Sequence, residues 1–238
     1  MMRRLPIGLT VATAIAFAIL VALGVWQMQR LAWKRDVMQR IEAAQTAQAA
    51  PLNAVLSAAA AGEDVNYRKV VGVCPGLSTA PYAELYALMD GKMGSRLISV
   101  CRLEGGPYGS ILVDRGFVDA AISSRPPEDP ADTRPIGVRG VLRAADEPSP
   151  IATPDDPAHR RFFSRRIETL AAHLKAPNPA PYFLMAESSS NPEWKALKPA
   201  PLPVNVSNRH LEYALTWFGL AGVLLAVYGA MLRGRGRD

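Results

Sequence analysis

The sequence lacks the motifs on which most enzymes build a catalytic centre. Its 238 residues include three histidines and two cysteines. They contain no G-x-S-x-G elbow, no H-E-x-x-H zinc motif and no glycine-rich phosphate loop followed by Lys and Ser or Thr. C-x-x-C pairs, which serve thiol redox sites and haem attachment, are also absent. These absences favour a non-enzymatic protein and disfavour a membrane-anchored enzyme. A ligand sensor is disfavoured as well, because no cytoplasmic output domain is recognisable.

Charge is missing from two long apolar segments, Leu5–Trp26 and Tyr213–Leu232. A helix rises about 1.5 Å per residue, so about 20 apolar residues cross a hydrocarbon core of roughly 30 Å. The pattern predicts a transmembrane helix over residues 5–26 and another over residues 211–232. A cleaved signal peptide is the alternative for the first segment, but its apolar length and the interfacial Trp26 favour a retained helix.

Basic residues near the ends of these helices predict their orientation in a membrane. Arg233, Arg235 and Arg237 follow the second helix, whereas Arg209 alone precedes it. The C-terminal tail is therefore expected in the cytoplasm, and with two spans the N-terminus shares that side. Residues 27–208 then form the periplasmic domain of a bacterial inner-membrane protein.

Small residues recur at helical spacing in both segments and predict where the helices pack. In an antiparallel pair these stripes both lie in the cytoplasmic half, so we expect the two helices to pack most closely there. The stripes are Gly8, Ala12 and Ala16 on the first helix and Gly222, Ala226 and Ala230 on the second.

Acidic residues are scarce beside the membrane segments but not between them. Residues 1–40 carry six basic side chains and one acidic one, and residues 209–238 carry four and two. The net charge of +6 therefore comes from the membrane flanks. The domain between them is close to neutral, which argues against a nucleic-acid partner.

The domain itself is predicted to be rich in β-structure. The first helix is expected to continue to about Ala50, where Pro51 ends or turns it. Short runs of β-forming residues follow, and the Gly and Pro between them favour an antiparallel β-rich α+β domain, as an open sheet or a small barrel. The predicted strands are Tyr67–Val73, Tyr82–Met89, Arg96–Leu103, Ser110–Val118, Ile136–Leu142 and Tyr182–Glu187, with a helix at Arg166–Leu174.

The two cysteines, Cys74 and Cys101, both fall in or next to predicted strands. Outside the cytoplasm such a pair favours a disulfide, which would stabilise the domain by about 3 kcal/mol. Two buried free thiols are the alternative.

The N-terminal end of the second helix, residues 208–218, carries a candidate ligand site, and we call this end the mouth of the helix. His210, Tyr213, Ala214 and Trp217 follow the spacing i, i+3, i+4 and i+7, so they share one helix face. A neutral imidazole can bind haem iron, and Ala214 is small enough for a planar ligand to approach His210.

The mouth of the first helix is its C-terminal end, residues 23–34, and it offers cations at the same membrane surface. Gln27, Arg30 and Lys34 share a face, and Trp26 and Trp33 lie beside Arg30. Arg and Lys would suit the propionates of a haem. These residue types also form ordinary interfacial belts that only anchor helices at lipid headgroups. The residues alone leave both interpretations open.

Both helix mouths resemble the paired terminal signatures of the surfeit locus protein 1 family. The first signature is matched by Leu23, Gly24, Trp26, Gln27, Arg30, Trp33 and Lys34, and the second by Asn208, His210, Leu211, Tyr213, Ala214, Thr216, Trp217 and Phe218. Interior segments at residues 67–70, 112–118, 140–143, 181–183 and 186–187 also fit, so the resemblance covers nearly the whole chain.

The sequence departs from the family pattern at a few positions. Asp114 stands where the family commonly has Asn, and Phe117 stands where it has Trp. Cys74 and Cys101 are not part of the pattern. None of these positions lies at a helix mouth.

The resemblance implies an assembly factor for haem–copper cytochrome c oxidase. Such a protein would bind haem a and assist its delivery or insertion into oxidase subunit I, with a haem a synthesis enzyme as a further partner. His210 would contact haem a as the iron ligand, and Arg30, Lys34 and Arg209 would be candidates for its propionates. The alternative is a haem-free membrane scaffold that stabilises subunit I during assembly.

Overall fold

The structure is a computed structural model that describes residues 7–146, 153–199 and 209–234, without the side chains of residues 44 and 45. It divides into two compact units: a helical unit of residues 1–40 and 204–238, and a sheet domain of residues 41–203. In chain order the elements are α1 (Ile7–Thr46), β1 (Ala50–Pro51), α2 (Leu52–Ala60), β2 (Lys69–Pro75), β3 (Tyr82–Met89), β4 (Lys92–Arg102), β5 (Ser110–Asp119), β6 (Pro135–Ala144), β7 (Arg161–Phe162), α3 (Ile167–Leu174), β8 (Pro179–Ala186) and α4 (His210–Gly234).

The helical unit consists of two helices that are each long and apolar enough to cross a membrane. They are α1 and α4, at opposite ends of the chain, which confirms the predicted pair of terminal apolar helices. Because α1 continues to Thr46 without a break, it also forms the first residues of the sheet domain. The start expected at Leu5 lies outside the described residues, and the membrane boundaries within the two helices stay predictions.

The two helices pack antiparallel. Near the start of α1 the hydroxyl of Thr10 lies 2.5 Å from that of Tyr228, near the end of α4. Further along α1, a side chain at Gly24 would meet the ring of Phe218, which lies in the first half of α4, at 2.5 Å. A side chain at position 24 would therefore displace the ring of Phe218, and glycine lets that ring lie against the α1 backbone.

The packing predicted from the small-residue stripes is wrong. Gly8 and Gly222 have no atom within 4 Å of the place where a side chain would begin. Instead Ala214 and Ala221 are the buried small residues of α4, one heptad apart. Small residues mark a close approach only where they face the partner helix, whereas most residues of the two stripes are exposed: Gly8, Ala12, Gly222, Ala226 and Ala230.

The sheet domain is built on one mixed sheet of eight strands in the order β1-β2-β6-β8-β5-β4-β3-β7. Four strand pairings are antiparallel, and the three others, β1 with β2, β5 with β8 and β3 with β7, are parallel. The predicted β-rich α+β domain is confirmed, with a mixed rather than wholly antiparallel sheet. The helix α3 explains part of the difference, because it brings the chain back so that β8 lies parallel to β5.

A disulfide joins two strands that are not neighbours in this sheet. Cys74 on β2 and Cys101 on β4 are bonded, with their Cα atoms 5.1 Å apart, although three strands separate β2 from β4 in the sheet order. The sheet must therefore curl until these strands meet, and both cysteines are fully buried inside the curl. The disulfide favoured by the sequence is thus present, and it joins strands that are not neighbours in the sheet.

Two buried charges stabilise the middle of β5. The guanidinium of Arg115 is fully buried and donates to the carbonyls of Ser78 and Ala80 and to the hydroxyls of Ser99 and Ser190. Burial lowers the pKa of Arg115 to about 10, so the group stays charged at neutral pH.

The neighbouring residue, Asp114, is also fully buried, and its carboxylate accepts hydrogen bonds from Arg96 and Arg165. This contact explains why a carboxylate is suitable where the family pattern commonly has an amide. The negative charge of Asp114 partly balances the buried Arg165 and the half-buried Arg96.

Candidate functional site

The predicted ligand residue, His210, is the first residue of α4 and is half-buried. Its Nδ1 lies 2.7 Å from Oε1 of Gln27 on α1, a hydrogen bond between residues 183 positions apart. The two helix mouths that the sequence singled out separately are thus joined by a direct side-chain contact. The sequence also offers Ser207 and Asn208 as capping residues for this helix, and both lie outside the described residues.

The spacing of buried residues on α1 explains how Gln27 reaches His210. Gly24 and Leu31 are buried, and Gln27 lies between them on the same side of the helix. On α4, Ala214 is fully buried one turn after His210. Small residues on both helices thus allow the close approach that a direct bond between Gln27 and His210 needs.

The structure gives Ala214 a role in helix packing. The sequence suggested that its small side chain leaves room for a planar ligand over His210. Because Ala214 is buried in the helical unit, its small size is used to bring the helices together. Open surface around the histidine is bordered instead by Tyr213, which is 53% exposed, and by the half-buried Trp217.

The predicted cations lie on the same helical unit but do not converge on one point in the contacts described. The guanidinium of Arg30 lies 3.9 Å from the ring centroid of Trp33, a cation–π contact that holds the arginine along the helix surface. Arg209 and Trp26 are exposed, and Lys34 is half-buried. Arg30 and Arg209 thus present exposed cationic groups near the helix mouths, and Trp26 and Tyr213 present exposed aromatic rings.

These residues fit a haem better than a bare metal ion. Within residues 7–146, 153–199 and 209–234 no group of three or more His, Cys, Asp or Glu side chains is arranged to hold a metal ion. The helix mouths offer one imidazole, exposed aromatic rings and arginines, which match an iron ligand, an apolar macrocycle and its carboxylates. Nε2 of His210 has no hydrogen-bond partner among the described residues, so it remains available to a ligand.

A concave region lies in the sheet domain. A cleft of about 870 Å³ follows the place where β2 meets β4, and the exposed Val71 and Val73 lie on its wall. On its rim the carboxylate of Asp132 accepts hydrogen bonds from Arg134, which hold the pKa of Asp132 well below its ordinary value. The cleft brings together none of the residues predicted for the haem site.

The pairing of Gln27 with His210 was not predicted. The sequence indicated only that Gln27 shares a helix face with Arg30 and Lys34. The available signal was the 3-to-4-residue spacing of Gly24, Gln27 and Leu31, which is the spacing of a helix face that packs on a partner.

Comparison with known proteins places these features in a family. The SURF1 family model matches residues 14–222. Surfeit locus protein 1 of Homo sapiens is 26% identical over 214 residues, which cover 84% of this chain and 69% of the human protein. The SURF1-like protein of Rickettsia felis is 26% identical over 226 residues, covering 90% of this chain and 92% of that protein.

Proposed function

Because the chain belongs to the SURF1 family, we propose that it is a cytochrome c oxidase assembly factor that binds haem a and assists its delivery or insertion into oxidase subunit I. It would act without catalysing a reaction. A haem a synthesis enzyme would supply the haem, and the lipid bilayer would hold the site at the membrane surface.

The observation that carries this proposal is the contact between His210 and Gln27. It places an imidazole at the mouth of a membrane helix and leaves one ring nitrogen open to a ligand. In the proposed complex Nε2 of His210 binds the haem iron. Tyr213, Trp217 and Trp26 border the macrocycle, and Arg30, Lys34 and Arg209 neutralise its propionates.

The proposed location is a bacterial inner membrane, with both termini in the cytoplasm and the sheet domain in the periplasm. The arginines after α4 support this orientation. The disulfide between Cys74 and Cys101 supports an oxidising compartment for the sheet domain, because such bonds are rare in the cytoplasm.

An absorption spectrum tests this function against the haem-free scaffold. The full-length protein is produced together with haem a synthesis enzymes and purified in detergent. We expect a Soret band that co-purifies with the protein and contains haem a. A protein that stabilises subunit I yet carries no Soret band would refute haem binding and favour the scaffold.

A further inference from the structure

The hydrogen bond between Gln27 and His210 determines which nitrogen of the imidazole is free. A neutral imidazole carries one hydrogen, either on Nδ1 or on Nε2. Oε1 of Gln27 faces Nδ1 at 2.7 Å, and because a carbonyl oxygen only accepts, this orientation of the amide assigns the hydrogen to Nδ1. Nε2 then keeps its lone pair.

We infer that Gln27 is a positioning residue that holds the hydrogen of His210 on Nδ1 and thereby presents Nε2 as the ligand nitrogen. This inference rests on the proposed function for its purpose, but the state of the imidazole is a property of the protein without haem. Metal-binding histidines commonly donate their second ring N–H to an oxygen in this way, which orients the ring and raises its basicity.

Burial makes this bond persistent. Gln27 and His210 are both half-buried at the mouth of an apolar helix pair, where an unpaired polar group is costly. The bond pairs Nδ1 of His210 with Oε1 of Gln27, and the next buried residue on each helix is apolar: Leu31 on α1 and Ala214 on α4. Among the described residues no second side chain accepts a hydrogen bond from the ring of His210.

The same contact makes the ligand-binding form of His210 depend on the packing of α1 against α4. Gln27 and His210 lie at opposite ends of the sequence and meet only because α1 and α4 pack together. The imidazole is therefore set in the ligand-ready state when the helix pair is formed.

Nitrogen NMR of the full-length, haem-free protein tests this inference directly. The protein is labelled with ¹⁵N-histidine and studied in detergent at about pH 8.5, well above the ordinary histidine pKa of about 6.5. The chain has three histidines, so His159→Gln and His173→Gln variants assign the signals by difference. We expect His210 to show a protonated Nδ1 and an unprotonated Nε2.

Variants at Gln27 show whether this side chain is the cause. Gln27→Met keeps the length of the side chain but removes the acceptor, so the Nδ1–H signal of His210 should be lost or mixed with Nε2–H. Gln27→Glu keeps an acceptor and should retain the Nδ1–H form. Gln29→Met is the matched control, because Gln29 is exposed on the same helix. An Nε2–H signal in the parent protein, or an unchanged signal in Gln27→Met, would overturn the inference.

A haem titration separates this inference from the proposed function. Loss of a partner that orients a metal ligand commonly weakens binding by about 10- to 100-fold. We expect a loss of this size in haem a affinity for Gln27→Met and no loss for Gln29→Met. If the parent protein binds no haem a but shows the Nδ1–H signal, the proposed function fails and the positioning role stands. If Gln27→Met changes the NMR signal but leaves haem affinity unchanged, the role in ligand binding is refuted.

Discussion

Replacement of Arg115 probes a fully buried charge of the sheet domain. The side chain fills a fully buried space, and its guanidinium donates to two carbonyls and two hydroxyls. In Arg115→Met most of the volume remains filled, but these acceptors lose a charged donor. Each such bond contributes about 1.5–3 kcal/mol, offset by the cost of burying the charge, so we expect a net loss of about 2–4 kcal/mol.

The larger truncation, Arg115→Ala, adds a cavity to the same loss of hydrogen bonds. Because cavities in well-packed cores carry their own cost, we expect Arg115→Ala to be about 1–2 kcal/mol less stable than Arg115→Met. The order of the two variants therefore separates the packing contribution from the polar contribution.

Pulse proteolysis in urea measures the free energy of unfolding of the sheet domain while the helices stay in detergent. Arg102→Met is the matched control, because Arg102 is an exposed arginine on the adjacent strand, and we expect it to change stability by less than about 0.5 kcal/mol. If Arg115→Met were as stable as Arg102→Met, the hydrogen bonds of Arg115 would not stabilise the fold and the reasoning would fail.

Three further predictions concern the disulfide, the helix contact and acid stability. Mass spectrometry of unreduced, alkylated peptides should find Cys74 joined to Cys101, and replacing both by Ser should lower stability by about 3 kcal/mol; free alkylated thiols at both positions would contradict the bond. Gly24→Leu should separate the helices because the new side chain meets the ring of Phe218, whereas Gly222→Leu should leave them together. Cross-linking of cysteines placed at positions 10 and 228 in a cysteine-free background measures the difference. The hydrogen bond from Arg125 holds the pKa of Glu84 below its ordinary 4.5, so this contact should stabilise the domain above that pH and less as pH falls further. In Glu84→Gln that acid-dependent part of the unfolding free energy should disappear, and an unchanged pH profile would refute the assignment.

Local pattern was enough to predict most of the strands. Tyr82–Met89 has the predicted bounds, and it turns into β4 through Asp90 and Gly91, which both have positive φ. This turn is local chemistry that the sequence displays directly. By contrast β7 is two residues long and exists only because it pairs with β3, and no local signal predicts such a contact.

The helix α2 was missed for a different reason. Its sequence is rich in Ala and Leu, but Pro51 directly before it was interpreted as the end or a turn of the first helix. Pro51 is in fact the N-cap of α2, a place where the absence of an N–H costs little. A proline therefore marks a boundary without telling which side of it is helical.

The sequence predicted which residues of each helix belong to the site, but it did not predict how the two helices contact each other. His210 and Gln27 were identified from their own helix faces, but their contact joins residues 183 positions apart. The packing face was predicted wrongly because small residues occur on more than one face, and only the structure shows that Gly24 and Ala214 face the partner helix.

The most direct test of the account is the amount of haem a bound per protein in the parent and in His210→Ala. Both proteins are produced with haem a synthesis enzymes and purified in detergent, and His159→Ala serves as the control because His159 is exposed in the sheet domain. We expect haem a to co-purify with the parent and with His159→Ala and to be largely lost from a correctly inserted His210→Ala. Equal haem content and an unchanged spectrum in His210→Ala would contradict this expectation.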